Sequence, residues 1–164
     1  MKKINYILST IIILFAFVSC ETEEFEPVVG VFTPPVLEDV SGTFVFTVEQ
    51  TDDVFKTFNW SKADFGFPSA TSYTFQIDVA GNSFATALDL ASTNETTFSI
   101  TVGELNQKLL SMGAKTNVPA NYEVRVTASV NDNVQTLISN VPAMSIHPFK
   151  VEIIYPSLYL PGNY

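Results

Sequence analysis

The stretch SYTFQIDV, residues 72–79, alternates without a break: Tyr73, Phe75, Ile77 and Val79 fall on one side, Thr74, Gln76 and Asp78 on the other. Period two over this length predicts a β-strand with one dry and one wet face. AGNS at 80–83 carries Gly-Asn turn chemistry, and FATALDL at 84–90 resumes an apolar pattern, so the two segments read as a hairpin. Segments of the same kind lie on both sides of it.

Upstream, TFVFTV (43–48) sets Phe44, Phe46 and Val48 against Val45 and Thr47, and VFKTFNW (54–60) sets Val54, Lys56, Phe58 and Trp60 against Phe55, Thr57 and Asn59. Downstream, TTFSI (96–100) is a fifth strand. One helix comes next: Thr101 and Glu104 have capping-box spacing, Leu105 and Leu109 share a face, and Gly113 is placed to end it. YEVRVTASV (122–130) then points Tyr122, Val124, Val126, Ala128 and Val130 inward and Glu123, Arg125, Thr127 and Ser129 outward. NDN (131–133) is a turn, VQTLIS (134–139) returns, and AMSIHPF (143–149) continues that edge after Pro142. About seven strands separated by turn signals, with one short helix before the sixth, predict an all-β sandwich of two sheets. The 14 Phe and 6 Tyr suit such an interior. Trp60 is expected between the sheets, and Tyr122 stands where a tyrosine corner bonds back to the chain. YEVRVTA resembles the sixth strand of fibronectin type III modules, which implies an immunoglobulin-like sheet order.

The N-terminus has a different character. Lys2 and Lys3 precede an apolar run, Ile4 to Val18, that ends at Ser19, the layout of a secretory signal peptide over residues 1–19. The run stops against Glu21, Glu23, Glu24 and Glu26 and is shorter than the roughly 20 apolar residues a bilayer span needs. Cys20 is the chain's single cysteine, so an internal disulfide is impossible and an intermolecular bridge, a free thiol or a covalent modification remains. VSC directly after the apolar run resembles the lipobox of bacterial lipoproteins, which implies that Cys20 is the lipid-attachment residue and the first residue of the mature chain. Residues 20–36, acidic and then broken by Pro27, Pro34 and Pro35, read as a tether. CETEEFE resembles the acidic signal that directs Bacteroidetes lipoproteins to the outer face of the outer membrane; a plain solvated leader has the same composition.

Removing residues 1–19 from the 164 leaves 145, enough for one domain with an ordinary core, and loss of Lys2 and Lys3 takes the net charge from −9 to −11. Such a balance repels nucleic acid, which is not expected as a partner.

Groups that could carry chemistry are few. His147 is the only histidine and reads as an ordinary strand or loop residue. Asp78 and Asp89 could face each other across the hairpin, but both fall on wet positions where charge is solvated. Asp52 with Asp53, and Asp132 with Asn131 and Asn133, offer oxygen ligands without EF-hand spacing. NET at 94–96 matches a glycosylation acceptor, a signal that loses force if the source is bacterial, as the lipobox resemblance implies. Trp60 would be the natural sugar platform, but its alternation with Phe58 puts it inside; Tyr155, Tyr159 and Tyr164 lie in the tail. No catalytic, cofactor-binding or metal-ligating residue is assigned, and no enzyme activity is expected.

Taken in order, the lipobox, PPVLEDVSGTFVFT, FNWSKADFG, SYTFQIDVAGNSF, GELNQKL, YEVRVTASV, Ser139-Asn140 and IHPF resemble the N-terminal domain of SusE and the related SusF, outer-membrane starch-binding lipoproteins of Bacteroidetes. The resemblance implies an immunoglobulin-like spacer over residues 37–150 in a surface lipoprotein of a polysaccharide-utilisation system. It also implies partners: the outer membrane through the lipid, other proteins of a glycan-uptake complex, and starch only through carbohydrate-binding modules. YPSLYLPGNY (155–164) looks like the opening of the first such module, so residues 151–164 read as its truncated start and the starch-binding modules themselves as missing from this chain. A generic immunoglobulin-like adhesion or assembly module with no glycan role is the competing reading.

Overall fold

The computed structural model describes residues 30–151. The signal segment, Cys20 and its acidic neighbours, and residues 152–164 lie outside the described residues.

Among the described residues, eight strands and one α-helix occur in the order β1 (Thr43–Val45), β2 (Val54–Asn59), β3 (Ser72–Val79), β4 (Leu88–Thr93), β5 (Thr97–Thr101), α1 (Val102–Ser111), β6 (Ala120–Ser129), β7 (Leu137–Ile138) and β8 (Ala143–His147). The larger sheet runs β1-β8-β6-β3-β4, and β2 and β5 form the smaller one. β7 also pairs with β6. It aligns with Thr127 and Ala128 while β8 aligns with Ala120 to Glu123, so β7 and β8 flank β6 as one interrupted strand. Counted that way there are seven strands in two sheets, the immunoglobulin-like sandwich that the alternation and turn spacing predict.

The core lies between the sheets. Phe75, Ile77, Val124 and Val126 from the larger sheet are fully buried, as are Phe58 and the helix residues Leu105 and Leu109. Aromatic rings carry much of it: Phe58 sits 4.5 Å from Phe75, and Trp60 lies 5.9 Å from Tyr73 and 6.0 Å from Phe75. Each such side chain buries roughly 150–250 Å². α1 is capped as its sequence requires. Glu104 N donates to Thr101 Oγ1 while Thr101 N donates to Glu104 Oε2, and Gly113, at φ +89°, takes the left-handed step after the helix.

Four segments differ from the simple alternation. β1 ends at Val45 and the chain enters a 3-10 turn, Val48–Gln50, so Val48 faces out. A bulge between Val54 and Lys56 reverses the facing of the first residues of β2: Phe55 packs at 4.9 Å from Phe44 and 5.1 Å from Phe46, and Val54 is exposed. β4 starts at Leu88, because residues 80–87 are taken up by a longer connection in which Ser83 and Phe84 have positive φ. β8 is an inner strand, paired antiparallel with β6 and parallel with β1.

The chain also joins the sandwich earlier than its prolines suggest. Thr33 and Asp64 exchange backbone hydrogen bonds at 2.8 and 2.9 Å, and Leu37 bridges Trp60. Phe32 stacks edge-on against Phe65, and Gly30 lies so close to Gly66 that a Cβ at Gly66 would stand 2.5 Å from the Gly30 backbone. Residues 30–36, within the stretch read as tether, are laid along the end of β2.

Candidate functional site

Two asparagines hold the ends of the described chain. Asn140, in the break between β7 and β8, accepts from Leu37 N at 2.7 Å and donates to Leu37 O at 2.9 Å. Asn106, fully buried on α1, accepts from Phe149 N at 2.9 Å and donates to Phe149 O at 3.1 Å. Each amide copies the pairing of a neighbouring strand where no strand is present. The first fixes the incoming chain; the second fixes the outgoing chain at the helix. The sequence offered little signal for either role. Asn140 belongs to the Ser139-Asn140 pair that carries part of the family resemblance, and Asn106 sits on the helix face it shares with Leu105 and Leu109.

These clasps lie toward opposite poles of the sandwich. The strap from Thr33 to Leu37 runs antiparallel to residues 60–64, beyond the C-terminal end of β2. β1 then runs parallel to β8, and the chain leaves through Phe149 beside α1, whose first turn meets the N-terminal end of β2: Val102 N donates to Asp53 O and Gly103 N to Thr51 O. At this second pole an open groove of about 730 Å³ is lined by Val45, Val48, Thr51, Gly103, Phe149 and Val151, among others.

The polar residues singled out in the sequence do not converge. Asp78, expected at a wet position, is fully buried and is the hub of the connection from β3 to β4. Its carboxylate accepts from Val79 N at 2.8 Å, Asn82 Nδ2 at 3.0 Å and Thr86 N at 3.2 Å. Burial pushes this carboxyl up, but the bonds from Asn82, Val79 and Thr86 outweigh it and hold the group below the ordinary carboxylate range. Asp89 does not face Asp78. It pairs with Gln76, whose Nε2 donates to it at 2.7 Å; Arg125 Nε donates to Gln76 Oε1 at 2.8 Å, and the Arg125 guanidinium lies 4.1 Å from the centre of the Phe84 ring. This is a surface ladder across β4, β3 and β6.

His147 closes β8 beside Val45. In the two acidic turns, Asp53 N donates to Gln50 O and Asn133 N donates to the side-chain Oδ1 of Asn131. Among the described residues no three His, Cys, Asp or Glu side chains are grouped as metal ligands. Trp60 is inside, 5% exposed, and its indole N–H has no acceptor. Tyr122 is buried at 1% exposure without the back-bond expected of it, and the Tyr73 hydroxyl, on β3, accepts from Ala63 N at 3.0 Å. Burial alone raises the Tyr122 phenol.

A seven-stranded sandwich with its chain ends clasped at opposite poles belongs to the class of immunoglobulin-like modules. The family described as SusE outer membrane protein matches residues 23–127, well over half of the chain and everything from the acidic leader into β6. The chain belongs to that family, and it is an outer membrane protein. No curated protein matches it.

Proposed function

We propose that this chain is a non-catalytic, surface-exposed lipoprotein of a starch or polysaccharide utilisation system, anchored through Cys20, and that its sandwich is the membrane-proximal spacer. The observation that carries the reading is the polar placement of the two clasped ends, Leu37 by Asn140 and Phe149 by Asn106. A module so threaded adds its own length between the leader on its N-terminal side and the chain on its C-terminal side. β6, at ten residues and about 3.3 Å each, is about 33 Å long. Residues 20–29 add at most about 34 Å of extended leader. Two or more acyl chains on one residue, at about 0.8 kcal/mol per buried CH₂, would make the attachment nearly permanent. With Trp60 consumed by the core, glycan contacts belong to carbohydrate-binding modules and not to the sandwich.

The test is fractionation of cells expressing the wild type or Cys20→Ala, with protease added to intact cells. The wild type is expected in the membrane fraction and digested from outside, and the variant released. Recovery of the wild type as a soluble product with a titratable thiol would overturn the anchor, and resistance to external protease would overturn surface display.

A further inference from the structure

Of the strand edges that the two sheets leave unpaired among the described residues, all but one are blunted. β1 and β7 are three and two residues long. β4 carries the exposed Asp89 and is bent by a bulge opposite Phe75 and Gln76. β2 has its own bulge, and the incoming chain lies on it: Glu38 N donates to Asn59 O, and Lys56 Nζ reaches Asp39 O at 3.4 Å. Short strands, charges, bulges and covering segments are the devices that keep an edge from pairing with another chain. β5 has none of them, since Thr97-Phe98-Ser99-Ile100-Thr101 contains no charge, proline or glycine. Its ladder with β2 shows which backbone groups it can offer. Trp60 N donates to Thr96 O, and Phe98 and Ile100 stand opposite Phe58 and Lys56, so these alternate residues turn N–H and C=O toward β2. Thr97, Ser99 and Thr101 turn theirs to the open side. There Thr101 N is held by Glu104 Oε2, while Thr97 and Ser99 meet no backbone partner among the described residues.

We propose that this edge pairs with β5 of a second copy of the chain, antiparallel about a two-fold axis at Ser99. The strand is its own complement. Reversing it sets Ser99 against Ser99, Thr97 against Thr101 and Phe98 against Ile100, so hydroxyls meet on the outer face and apolar groups on the inner. A foreign strand would need no such symmetry, and it is the symmetry that selects a second copy. The two Ser99 residues exchange both N–H to C=O bonds, and no like charges are brought opposite. The Thr57 and Ser99 hydroxyls, already 2.7 Å apart, continue as a row across the axis. Phe98, only half-buried at the rim of the core, gains Ile100 of the second copy as cover. The product is one four-stranded sheet, an isologous contact that closes at two copies. This inference stands apart from the anchor and the glycan: the edge is open whatever Cys20 carries.

The experiment uses the full chain carrying Cys20→Ala, in which an added cysteine is the only one. Ser99→Cys should give a disulfide-linked dimer under mild oxidation, because its two Cα atoms face each other across the axis at about 5.5 Å, within disulfide reach. Thr97→Cys should not, since its two copies are offset by four residues, about 14 Å along the strands. A five-residue pairing falls below the roughly 1,200 Å² of a stable interface, so the dimer without a disulfide is weak. The mass of Cys20→Ala at sedimentation equilibrium should accordingly rise, up to twofold, between about 10 μM and about 1 mM. Ser99→Lys sets two ammonium groups opposite each other and should abolish the rise, whereas Ser92→Lys on the β4 edge should leave it intact. The melting temperature checks that Ser99→Lys folds; if it does not, the two cysteine variants carry the reading alone. A monomer throughout that range would overturn the inference, as would equal crosslinking at positions 97 and 99. Self-association that survives Ser99→Lys would belong to another surface, such as the groove at the outgoing pole, and would overturn it equally.

Discussion

Asp78 keeps its charge where no solvent reaches it because residues just beyond it in the chain fold back to donate to it. At this position alternation misleads. A polar residue in a wet slot can instead supply the turn after its strand, as aspartate does with backbone N–H groups. The cue was in the sequence, since Asn82 and Thr86 stand four and eight residues on, but nothing local distinguishes such a hub from a solvated carboxylate. Asp78→Ala strands Val79 N and Thr86 N and should cost about 2–3 kcal/mol in urea unfolding. The sign of its pH effect comes from a folded value below the ordinary one of about 3.9. The contribution is fully present above that ordinary value and is lost as pH falls through the folded value. Acid titration of stability should therefore flatten in Asp78→Asn relative to wild type below pH ~4.

At the scale of elements, β3, β6 and α1 were legible because their patterns are long and their signals local: eight and ten alternating residues, and a capping box. β1 and β4 were legible in part, since a 3-10 turn shortens one and the Asp78 connection delays the other. The strap before Leu37 was hidden by its prolines, which forbid donation at their own positions and leave neighbours such as Thr33 free to pair. Long-range side-chain clasps have no sequence period at all. Asn106 illustrates the consequence: a buried amide on a helix reads as an ordinary polar residue until its partner 43 positions away is seen. Asn106→Ala leaves a buried N–H and a buried carbonyl of Phe149 unpaired and should destabilise by about 2–4 kcal/mol, whereas Asn140→Ala, at a more open site, should cost about 1 kcal/mol. Urea midpoints of the two variants, with unchanged slopes, check the order.

For the molecule as a whole, the fold class and the family could be read from strand count, turn spacing and a string of short motifs, and the family match over residues 23–127 agrees with them. What the sequence did not disclose was how the two ends relate, because that depends on which strands meet. Here β1, near the incoming end, lies parallel to β8, near the outgoing end, with Ser145 N donating to Gly42 O at 2.9 Å and Phe46 N to His147 O at 3.0 Å. Tension applied to the two ends would drag β1 one way and β8 the other along their shared axis. Those bonds would then have to rupture together in shear, not open one after another like a zip. Stretching a single molecule between positions 30 and 151 should show one high rupture peak, lowered by Ser145→Pro and left in place by Asp89→Ala on the far edge. A sandwich wired in this way is built to bear load: a pull between its two ends would meet the β1–β8 seam side-on, with its bonds sharing the force.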